Sequence, residues 1–243
     1  MKLSFTKMHG LGNDFVVIDG RRFRLPNPKG NARFLCDRRF GVGADQLLIL
    51  KKSRKADLGM EIYNADGSRV EMCGNGIRSL VRYALLNGIA KKREVTVETP
   101  AGIQKVTVAA GGKLRVDMGE PRLKAEEIPV RLSGRVSNRR VIIEAGSMKV
   151  TCVSMGNPHC VIFVDDLKGD FVNKRGPMIE KAKLFPKRTN VEFVKVVSPE
   201  RIEMRVWERG VGETMACGSG ACAAAVASSL NHFTDRQVTV ELP

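Results

Sequence analysis

An internal repeat constrains the fold of this chain more than any other feature of its sequence. Two segments with the pattern Cys-Gly-x-Gly begin at Cys73 and at Cys217, which lie 144 residues apart. Further matches follow in the same order at this offset or at one residue less, as expected of a duplicated structural unit. The matched segments are Gly12-Asn13 with Gly156-Asn157, Gln46 with Asn190, Met60–Asn64 with Met204–Glu208, and Val95–Pro100 with Val238–Pro243.

The repeat predicts two similar domains, 1–118 and 140–243, joined by a linker at 119–139. The linker contains the loop-forming residues Gly119-Glu120-Pro121 and Ser133-Gly134. In the first half, the strand-like run before Pro100 continues into a second run that predicts a hairpin. The second half stops at Pro243, where the matching return strand is due to start. We therefore expect this last strand to be missing from the second domain.

Each half contains several short runs of β-branched and aliphatic residues, which favour strands, and one segment that favours a helix. After Gly76, apolar residues recur at helical spacing until a stop near Gly88. The second helical segment, Ala221–Ala227, is small and apolar on every side, which indicates burial. The sequence thus predicts an α+β fold of two pseudo-symmetric domains, each a mostly antiparallel, barrel-like sheet wrapped around a central helix.

Composition excludes several classes of protein. The six cysteines form no CxxC pair and are too scattered for a disulfide scaffold, and three histidines offer few ligands for zinc. No apolar run approaches the ~20 residues of a membrane span, and Met1–Lys7 lacks the apolar stretch of a signal peptide. We therefore expect a cytoplasmic protein with no metal site and no membrane partner.

The formal net charge of +15 raises nucleic-acid binding as an alternative function. The basic residues, however, form short clusters throughout the chain instead of one patch. Aromatic residues make up 5% of the chain, which leaves little material for stacking on bases. The charge is thus better explained by a solvated surface, and we expect no nucleic-acid partner. Salt-dependent binding to duplex and single strands would separate the two explanations.

The Cys-Gly-x-Gly segments are candidates for acid–base chemistry. The first turn of a helix has unpaired N–H groups and a partial positive charge, which lower the pKa of a cysteine and hold a carboxylate. Two such thiols on opposite sides of a tetrahedral carbon would invert it, one removing a proton and the other delivering one. This scheme needs neither a metal nor another cofactor. The alternative is that both cysteines only fill a core; the duplication favours function.

Polar residues at matched positions are the candidate substrate contacts. Asn64 and Glu208 each precede a repeat cysteine by nine residues, and amide side chains suit the amine and carboxylate of an amino acid. Turn or cap roles are the alternative for any one of them. The Glu208-Arg209 pair lies close to the second helix in sequence, and His159 follows the Asn157 loop and is a candidate to assist a thiol. The remaining amide candidates are Asn13, Gln46, Asn157 and Asn190.

These residues resemble the diaminopimelate epimerase family, and the resemblance covers nearly the whole chain. The segments that carry it are Met8–Phe15, Asn64–Gly67, Glu71–Arg78, Gly156–His159, Arg188–Phe193 and Trp207–Gly218. The fold is shared with proline racemases and phenazine-biosynthesis isomerases, so an isomerase of the same fold with a different substrate remains an alternative.

The resemblance implies a cofactor-independent amino-acid epimerase that interconverts LL- and meso-diaminopimelate in lysine and peptidoglycan-precursor synthesis. It implies that Cys73 and Cys217 are the acid–base pair, supported by His159 and Glu208, and that the protein is a homodimer. It implies that Gly74, Asn75, Gly218 and Ser219 hold groups at the reacting carbon. The remaining implied substrate contacts are Asn13, Gln46, Asn64, Asn157, Asn190, Glu208 and Arg209.

Overall fold

A computed structural model describes residues 3–243, so Met1 and Lys2, part of the N-terminus predicted to lack a signal peptide, lie outside the described residues. The chain divides into two compact units, Met1–Gly119 and Glu120–Pro243. Among the described residues, no helix has the length and apolar character to cross a membrane.

The first unit is one eight-stranded sheet with two helices. Its strands run in the order β1-β2-β3-β4-β6-β7-β8, with β5 paired to β4. The elements are β1 (Thr6–Gly10), β2 (Asn13–Asp19), α1 (Pro28–Cys36), β3 (Gln46–Lys51), β4 (Leu58–Asn64), β5 (Arg69–Val70), α2 (Gly74–Leu86), β6 (Glu94–Thr99), β7 (Gly102–Val108) and β8 (Leu114–Asp117).

The second unit is a seven-stranded sheet, again with two helices. Its strands run in the order β14-β13-β12-β11-β10-β9, with β15 paired to β13. The elements are β9 (Arg139–Ile143), β10 (Gly146–Ser154), β11 (Pro158–Phe163), α3 (Phe171–Glu180), β12 (Asn190–Ser198), β13 (Arg201–Glu208), β14 (Gly212–Thr214), α4 (Gly218–Leu230) and β15 (Thr239–Glu241).

The two sheets share the order and the register of their central strands. Strands β2 and β3 are parallel and pair Phe15 with Gln46, and β11 and β12 are parallel and pair His159 with Asn190. Antiparallel β4 and β13 repeat the same correspondence, since Leu47 pairs with Tyr63 and Val191 with Trp207. The 144-residue offset seen in the sequence is therefore also the offset between equivalent backbone pairings.

Alternation along the strands of the first unit separates two cores. Successive side chains of a strand point to opposite faces, so Leu48 and Leu50 pack with the residues of α2 while Leu47 and Ile49 pack with those of α1. Helix α2 contacts both edge strands, β1 and β8, because the sheet curls around it. The prediction of mostly antiparallel sheets is confirmed in outline, although parallel pairings, β2–β3 and β4–β6 in the first sheet and β11–β12 and β13–β15 in the second, make each sheet mixed.

The predicted linker at 119–139 is not a linker from Glu120 onward, because that segment is part of the second unit. Arg122 bridges to Ser154 of β10, and the carbonyl of Val136 accepts a hydrogen bond from the Cys152 amide. Ala125 and Ile128 are fully buried in the core beneath α3. Burial of these scattered apolar side chains fixes the segment to the sheet despite its loop-like sequence.

The helix expected to be buried on every side, α4, has one buried face and one half-buried face. Ala223, Ala224 and Ala227 are fully buried, whereas Cys222 and Val226 keep partial contact with solvent. At the end of the chain, β15 pairs in parallel with β13, as β6 pairs in parallel with β4. In the first unit β6 also pairs with β7.

Candidate active site: one half-site in each unit

Cys73 is the N-cap residue of α2, and its side chain closes the first turn of the helix. The Gly76 amide donates a hydrogen bond to the Cys73 Sγ at 3.3 Å. The residue has an extended backbone with φ −141° and is half-buried. A thiol sulfur thus takes the place that Ser or Asp commonly fills at an N-cap.

Asn13 lies beside Cys73 because the carboxylate of Asp45 holds its side chain. The Cys73 Sγ is 3.8 Å from Asn13 Oδ1, and Asn13 Nδ2 donates to Asp45 Oδ2 at 2.9 Å. Asp45 is fixed in turn by Arg38, which also binds Asp14. Although burial opposes it, hydrogen bonds from Arg38 and Lys7 lower the pKa of Asp14. This network keeps the amide oxygen of Asn13 directed at the thiol.

The other predicted contacts of the first unit form two separate groups. Gln46 Nε2 donates to Asn64 Oδ1 at 2.8 Å, and Asn64 Nδ2 donates to the Ser68 hydroxyl at 3.1 Å. The Gln46 Oε1 is buried without a hydrogen-bond partner, so an acceptor remains available there. Asn75, in the first turn of α2, is buried and accepts a hydrogen bond from the guanidinium of Arg78.

Cys217 repeats this arrangement as the N-cap residue of α4. The Gly220 amide donates to the Cys217 Sγ at 3.4 Å, and the Ser219 hydroxyl lies 3.5 Å from the same sulfur. Unlike Cys73, Cys217 is buried, with 5% of its surface exposed. The two half-sites therefore share their backbone geometry and differ in the solvation of the thiol.

Glu208 contacts the second half-site directly. The Thr214 hydroxyl donates to Glu208 Oε1 at 2.5 Å, and the carboxylate is close enough to Cys217 for each group to affect the pKa of the other. Burial raises the pKa of Glu208 above the ordinary value of 4.5. The carboxyl group is accordingly a base of increased strength placed within reach of the thiol.

The expectation that a helix N-terminus lowers the pKa of the cysteine is wrong for Cys217. Burial, followed by the nearby charges of Glu208 and Glu192, raises the pKa of Cys217 well above its ordinary value. Hydrogen bonds from Ser219 and the Gly220 amide act in the opposite direction without overcoming these effects. Desolvation of the thiolate thus outweighs the helix terminus, and the Cys217 sulfur carries its proton.

His159 and Asn157 connect the second half-site to a buried carboxylate. His159 Nε2 is 2.9 Å from Asn157 Oδ1, and Asn157 Nδ2 donates to the Ser219 hydroxyl at 3.2 Å. On its other side, His159 Nδ1 is 2.6 Å from Glu192 Oε1. His159 and Glu192 are both fully buried, so solvent does not compete for these contacts.

Asn190 and Arg209 form a contact of their own. Asn190 Oδ1 accepts a hydrogen bond from the Arg209 amide at 2.9 Å, and Asn190 Nδ2 donates to the Pro158 carbonyl at 2.9 Å. The Arg209 guanidinium donates to the Lys187 carbonyl at 3.4 Å. The structure therefore places Asn190 as a support for the Arg209 backbone, with no hydrogen bond to the thiol.

Sequence reasoning missed two residues that shape the half-sites, Asp45 and Glu192. Asp45 precedes Gln46 but has a threonine at the matching position of the second half, so the repeat gives no signal for it. Glu192 interrupts the apolar run that continues as Phe193 and Val194, and the repeat aligns it with Leu48. A carboxylate within an otherwise apolar strand is itself a signal of a functional site, but Glu192 was not among the polar residues matched between the two repeats.

Within residues 3–243, no cluster of three or more His, Cys, Asp and Glu side chains has an arrangement suited to a metal ion. The chemistry that the described residues offer is that of two thiols at helix termini, with amides and carboxylates around them.

Comparison with known proteins identifies related sequences over nearly the whole chain. A family model described as Diaminopimelate epimerase matches residues 5–124 and 151–243. The chain is 51% identical over 246 residues to the Diaminopimelate epimerase of Moorella thermoacetica, covering 99% of this chain and 88% of the relative. It is 52% identical over 248 residues to that of Desulforudis audaxviator, with the same coverage.

Solved structures with low sequence identity share the fold. A probable proline racemase from Agrobacterium radiobacter K84 with bound carbonate superposes with a TM-score of 0.73 at 16% identity, over 95% of this chain and 78% of its own. A hydroxyproline epimerase from Agrobacterium vitis with bound trans-4-hydroxy-L-proline gives 0.70 at 14% identity, over 96% and 78%. These matches confirm the predicted two-domain α+β fold.

Proposed function

The chain belongs to the diaminopimelate epimerase family, and we propose that it interconverts LL- and meso-diaminopimelate without a cofactor by two-base proton transfer between Cys73 and Cys217. The observation that carries the mechanism is the repeated N-cap. In each unit a cysteine sulfur accepts the hydrogen bond of the glycine amide three residues later, at the start of a 13-residue helix.

The proposed reaction is balanced by the two thiols alone. A thiolate removes the α-proton from one face of the substrate carbon and becomes a thiol. The second thiol delivers its proton to the opposite face and becomes a thiolate. The negative charge that develops on the carbon spreads into the adjacent carboxylate, where the positive ends of the helix dipoles stabilise it.

The environments of the thiols suggest which one starts as the acid. Because burial and neighbouring carboxylates raise the pKa of Cys217, this residue holds a proton at the start of the reaction. Cys73 is half-buried and accepts a hydrogen bond from the Gly76 amide, while its thiol donates to Asn13 Oδ1 at 3.8 Å; this proton has to leave before Cys73 acts as the base. We assign the first proton abstraction to Cys73 and the delivery to Cys217 for the stereoisomer bound in that orientation; the other stereoisomer requires the opposite protonation states.

The remaining residues have proposed roles in holding the substrate and supporting the thiols. The unpartnered Gln46 Oε1 is an acceptor suited to a substrate ammonium group. The guanidinium of Arg209 suits the distal carboxylate through bidentate contacts. His159 and Glu208 support the Cys217 side of the reaction. Further proposed contacts are Asn13, Asn64, Gly74, Asn75, Asn157, Asn190, Gly218 and Ser219.

The family resemblance also supports three broader proposals. We propose that the enzyme acts in lysine and peptidoglycan-precursor biosynthesis, that it works in the cytoplasm, and that it forms a homodimer. The apparent mass of the purified protein by light scattering tests the last proposal, since a dimer has twice the 26.7 kDa of one chain.

A turnover assay tests the activity and both thiols together. Purified protein with a chelator and no added cofactor is expected to convert LL-diaminopimelate into the meso form. Cys73→Ala and Cys217→Ala are each expected to lower the rate at least about 100-fold, because each removes one acid–base group. Cys222→Ala is the matched control, since this half-buried cysteine of α4 has no proposed role.

Proline and hydroxyproline, tested in parallel, address the alternative of a same-fold isomerase. Turnover of either one without turnover of diaminopimelate would contradict the proposed substrate. Turnover by either alanine variant at the rate of Cys222→Ala would contradict the two-base scheme.

A further inference from the structure

The two repeats differ at a buried pair of positions that pack against helix α2 in the first unit and helix α4 in the second. In the first unit, Phe15 and Leu48 occupy these positions and are fully buried in the core around α2. In the second unit, the same offset places His159 and Glu192 there, also fully buried. One fold thus accommodates an apolar pair in one copy and an ionisable pair in the other.

Stability alone does not explain the ionisable pair. Burying a carboxylate costs free energy, and Glu192 Oε2 has no hydrogen-bond partner among the described residues. Replacing a buried ion pair by apolar side chains of similar volume is often neutral or stabilising, and the first repeat provides such a pair in the same backbone register. A function in the second half-site is the better explanation.

The hydrogen bonds starting from Glu192 form a chain with a defined direction. Asn157 Nδ2 donates to Ser219, so Asn157 Oδ1 must accept from His159 Nε2, which therefore carries a proton. Because Ser219 Oγ accepts from Asn157, its own hydrogen is available for the Cys217 sulfur at 3.5 Å. At the opposite end, His159 Nδ1 and Glu192 Oε1 share one hydrogen across 2.6 Å.

We propose that Glu192 is a positioning residue for Cys217: it anchors His159 so that the chain His159–Asn157–Ser219 directs a hydroxyl hydrogen at the Cys217 sulfur. Glu192 acts through His159 and does not touch the substrate. The hydroxyl hydrogen stabilises the thiolate that Cys217 becomes after it gives up its proton. The proposal rests on the proposed function for its effect on turnover, but not for its effect on thiol reactivity.

A positioning role and a purely electrostatic role predict opposite changes. The negative charge of Glu192 raises the pKa of Cys217, so removing that charge alone would make the thiol more reactive. Removing the anchor of His159 instead disorders the hydrogen-bond chain, and the thiol becomes less reactive. The sign of the change in Cys217 reactivity therefore separates the two roles.

The test compares Glu192→Leu, which introduces the residue of the first repeat, with Glu192→Gln. Leucine removes both the carboxylate and the hydrogen bond to His159, whereas glutamine replaces the carboxylate by a neutral amide that still forms a hydrogen bond with His159 Nδ1. Alkylation of Cys217 by iodoacetamide at fixed pH, followed by peptide mass spectrometry, gives the reactivity without any substrate. We expect Cys217 of Glu192→Leu to react about fivefold more slowly than that of wild type, because the thiolate loses one hydrogen bond, from the Ser219 hydroxyl. Glu192→Gln is expected to react at least as fast as wild type.

Turnover of LL-diaminopimelate gives a second readout. Glu192→Leu is expected to lower kcat about tenfold with a smaller change in KM, because the residue supports another group and does not bind substrate. Glu192→Gln is expected to restore most of the rate. Faster alkylation of Glu192→Leu, or equal losses of turnover in both variants, would overturn the positioning role.

Two controls show whether a negative result comes from the inference itself. One detects a folding defect, and the other detects an error in the proposed function. The double variant His159→Phe/Glu192→Leu copies the apolar pair of the first repeat and is expected to unfold at no lower denaturant concentration than wild type, yet to alkylate slowly at Cys217. Fast alkylation of the folded double variant would overturn the proposal. Absence of turnover in wild type would contradict the proposed function, while the alkylation rates would still decide the role of Glu192.

Discussion

Cys217 and Glu208 are neighbouring acidic groups of the second half-site whose pKa values are shifted in the same direction. Burial raises the pKa of both side chains, which favours the protonated thiol and the protonated carboxyl group. When Cys217 delivers its proton, the resulting thiolate is stabilised by the Gly220 amide and the Ser219 hydroxyl. The second half-site thus holds a proton firmly and still provides donors for the charge left behind.

Glu208→Gln is expected to stabilise the fold and to damage the reaction. Because the pKa of Glu208 is raised in the folded state above the ordinary 4.5, the folded protein binds this proton more tightly than the unfolded chain. Ionised Glu208 therefore destabilises the fold at neutral pH, and a neutral glutamine does not. Urea unfolding is expected to show higher stability of the variant at pH 7–8, with the difference shrinking as the pH falls towards the ordinary carboxyl value. Turnover is expected to fall about 100-fold.

A variant that is less stable than wild type by the same amount at every pH would contradict this account of Glu208. Thr214→Val is a useful companion, because it removes the hydroxyl that donates to the carboxylate and leaves the carboxyl group in place.

At the residue scale, the repeat predicted the positions of the two thiols and of the amides beside them. Asn13 and Asn157 do lie in the half-sites of Cys73 and Cys217. The sequence did not predict that Asp45 orients Asn13, because that contact joins loop residues far apart in the chain. It also did not predict the raised pKa of Cys217, which depends on burial.

Helices α2 and α4 are equivalent elements of the two repeats, but their first turns are packed differently. Gly76 and Gly220 occupy the same turn position, three residues after each cysteine. A Cβ at either glycine would lie at a similar distance from its cysteine, 3.2 Å from Cys217 Cβ and 3.3 Å from Cys73 Cβ. The difference is the third neighbour: a Cβ at Gly220 would lie 2.8 Å from Glu192 Oε1, whereas one at Gly76 would lie 3.2 Å from the flexible end of Leu48. The second helix therefore has less space for any side chain at this position.

Gly220→Ala is expected to cost more stability than Gly76→Ala. Overpacking against Glu192 destabilises by about 1–3 kcal/mol, while the gain in helix propensity recovers up to about 1 kcal/mol. At Gly76 the leucine end moves aside, so the two effects nearly cancel. Unfolding midpoints of the two variants measured side by side give the comparison. Equal losses in both variants would show that the Glu192 side chain does not restrict this turn.

At the element scale, helical spacing located α2, and the repeat then located α4. The helices begin at Gly74 and Gly218, immediately after their cysteine caps. The small apolar sequence of α4 indicated burial on all sides, but Cys222 and Val226 are half-buried. Small side chains allow close packing on any face without requiring it, so composition alone does not show which faces of a helix are covered.

For the whole molecule, the repeat predicted two similar units, and the boundary lies between Gly119 and Glu120. The assignment of 120–139 to a linker failed because Ala125, Ile128 and Val136 are apolar residues without a regular period. Periodicity detects strands and helices, whereas burial of an irregular segment depends on the sheet that it covers.

The formal charge of +15 is not concentrated around Cys217, whose pKa is affected by the carboxylates of Glu208 and Glu192. The excess of positive charge therefore belongs to the protein surface, and the chemistry depends on local contacts. The match of the chain to the diaminopimelate epimerase family, and not the location of this charge, favours the epimerase over the nucleic-acid-binding alternative.

The most direct test of the two-base claim is the fate of solvent deuterium during the first few per cent of turnover. In deuterated water, the thiol that delivers a proton carries deuterium, while the proton removed from the substrate stays on the other sulfur. We predict that newly formed meso-diaminopimelate carries one deuterium at the inverted carbon and that the remaining LL-diaminopimelate carries almost none. Product that keeps the substrate hydrogen, or equal labelling of the remaining substrate and the product, would contradict proton transfer by two thiols.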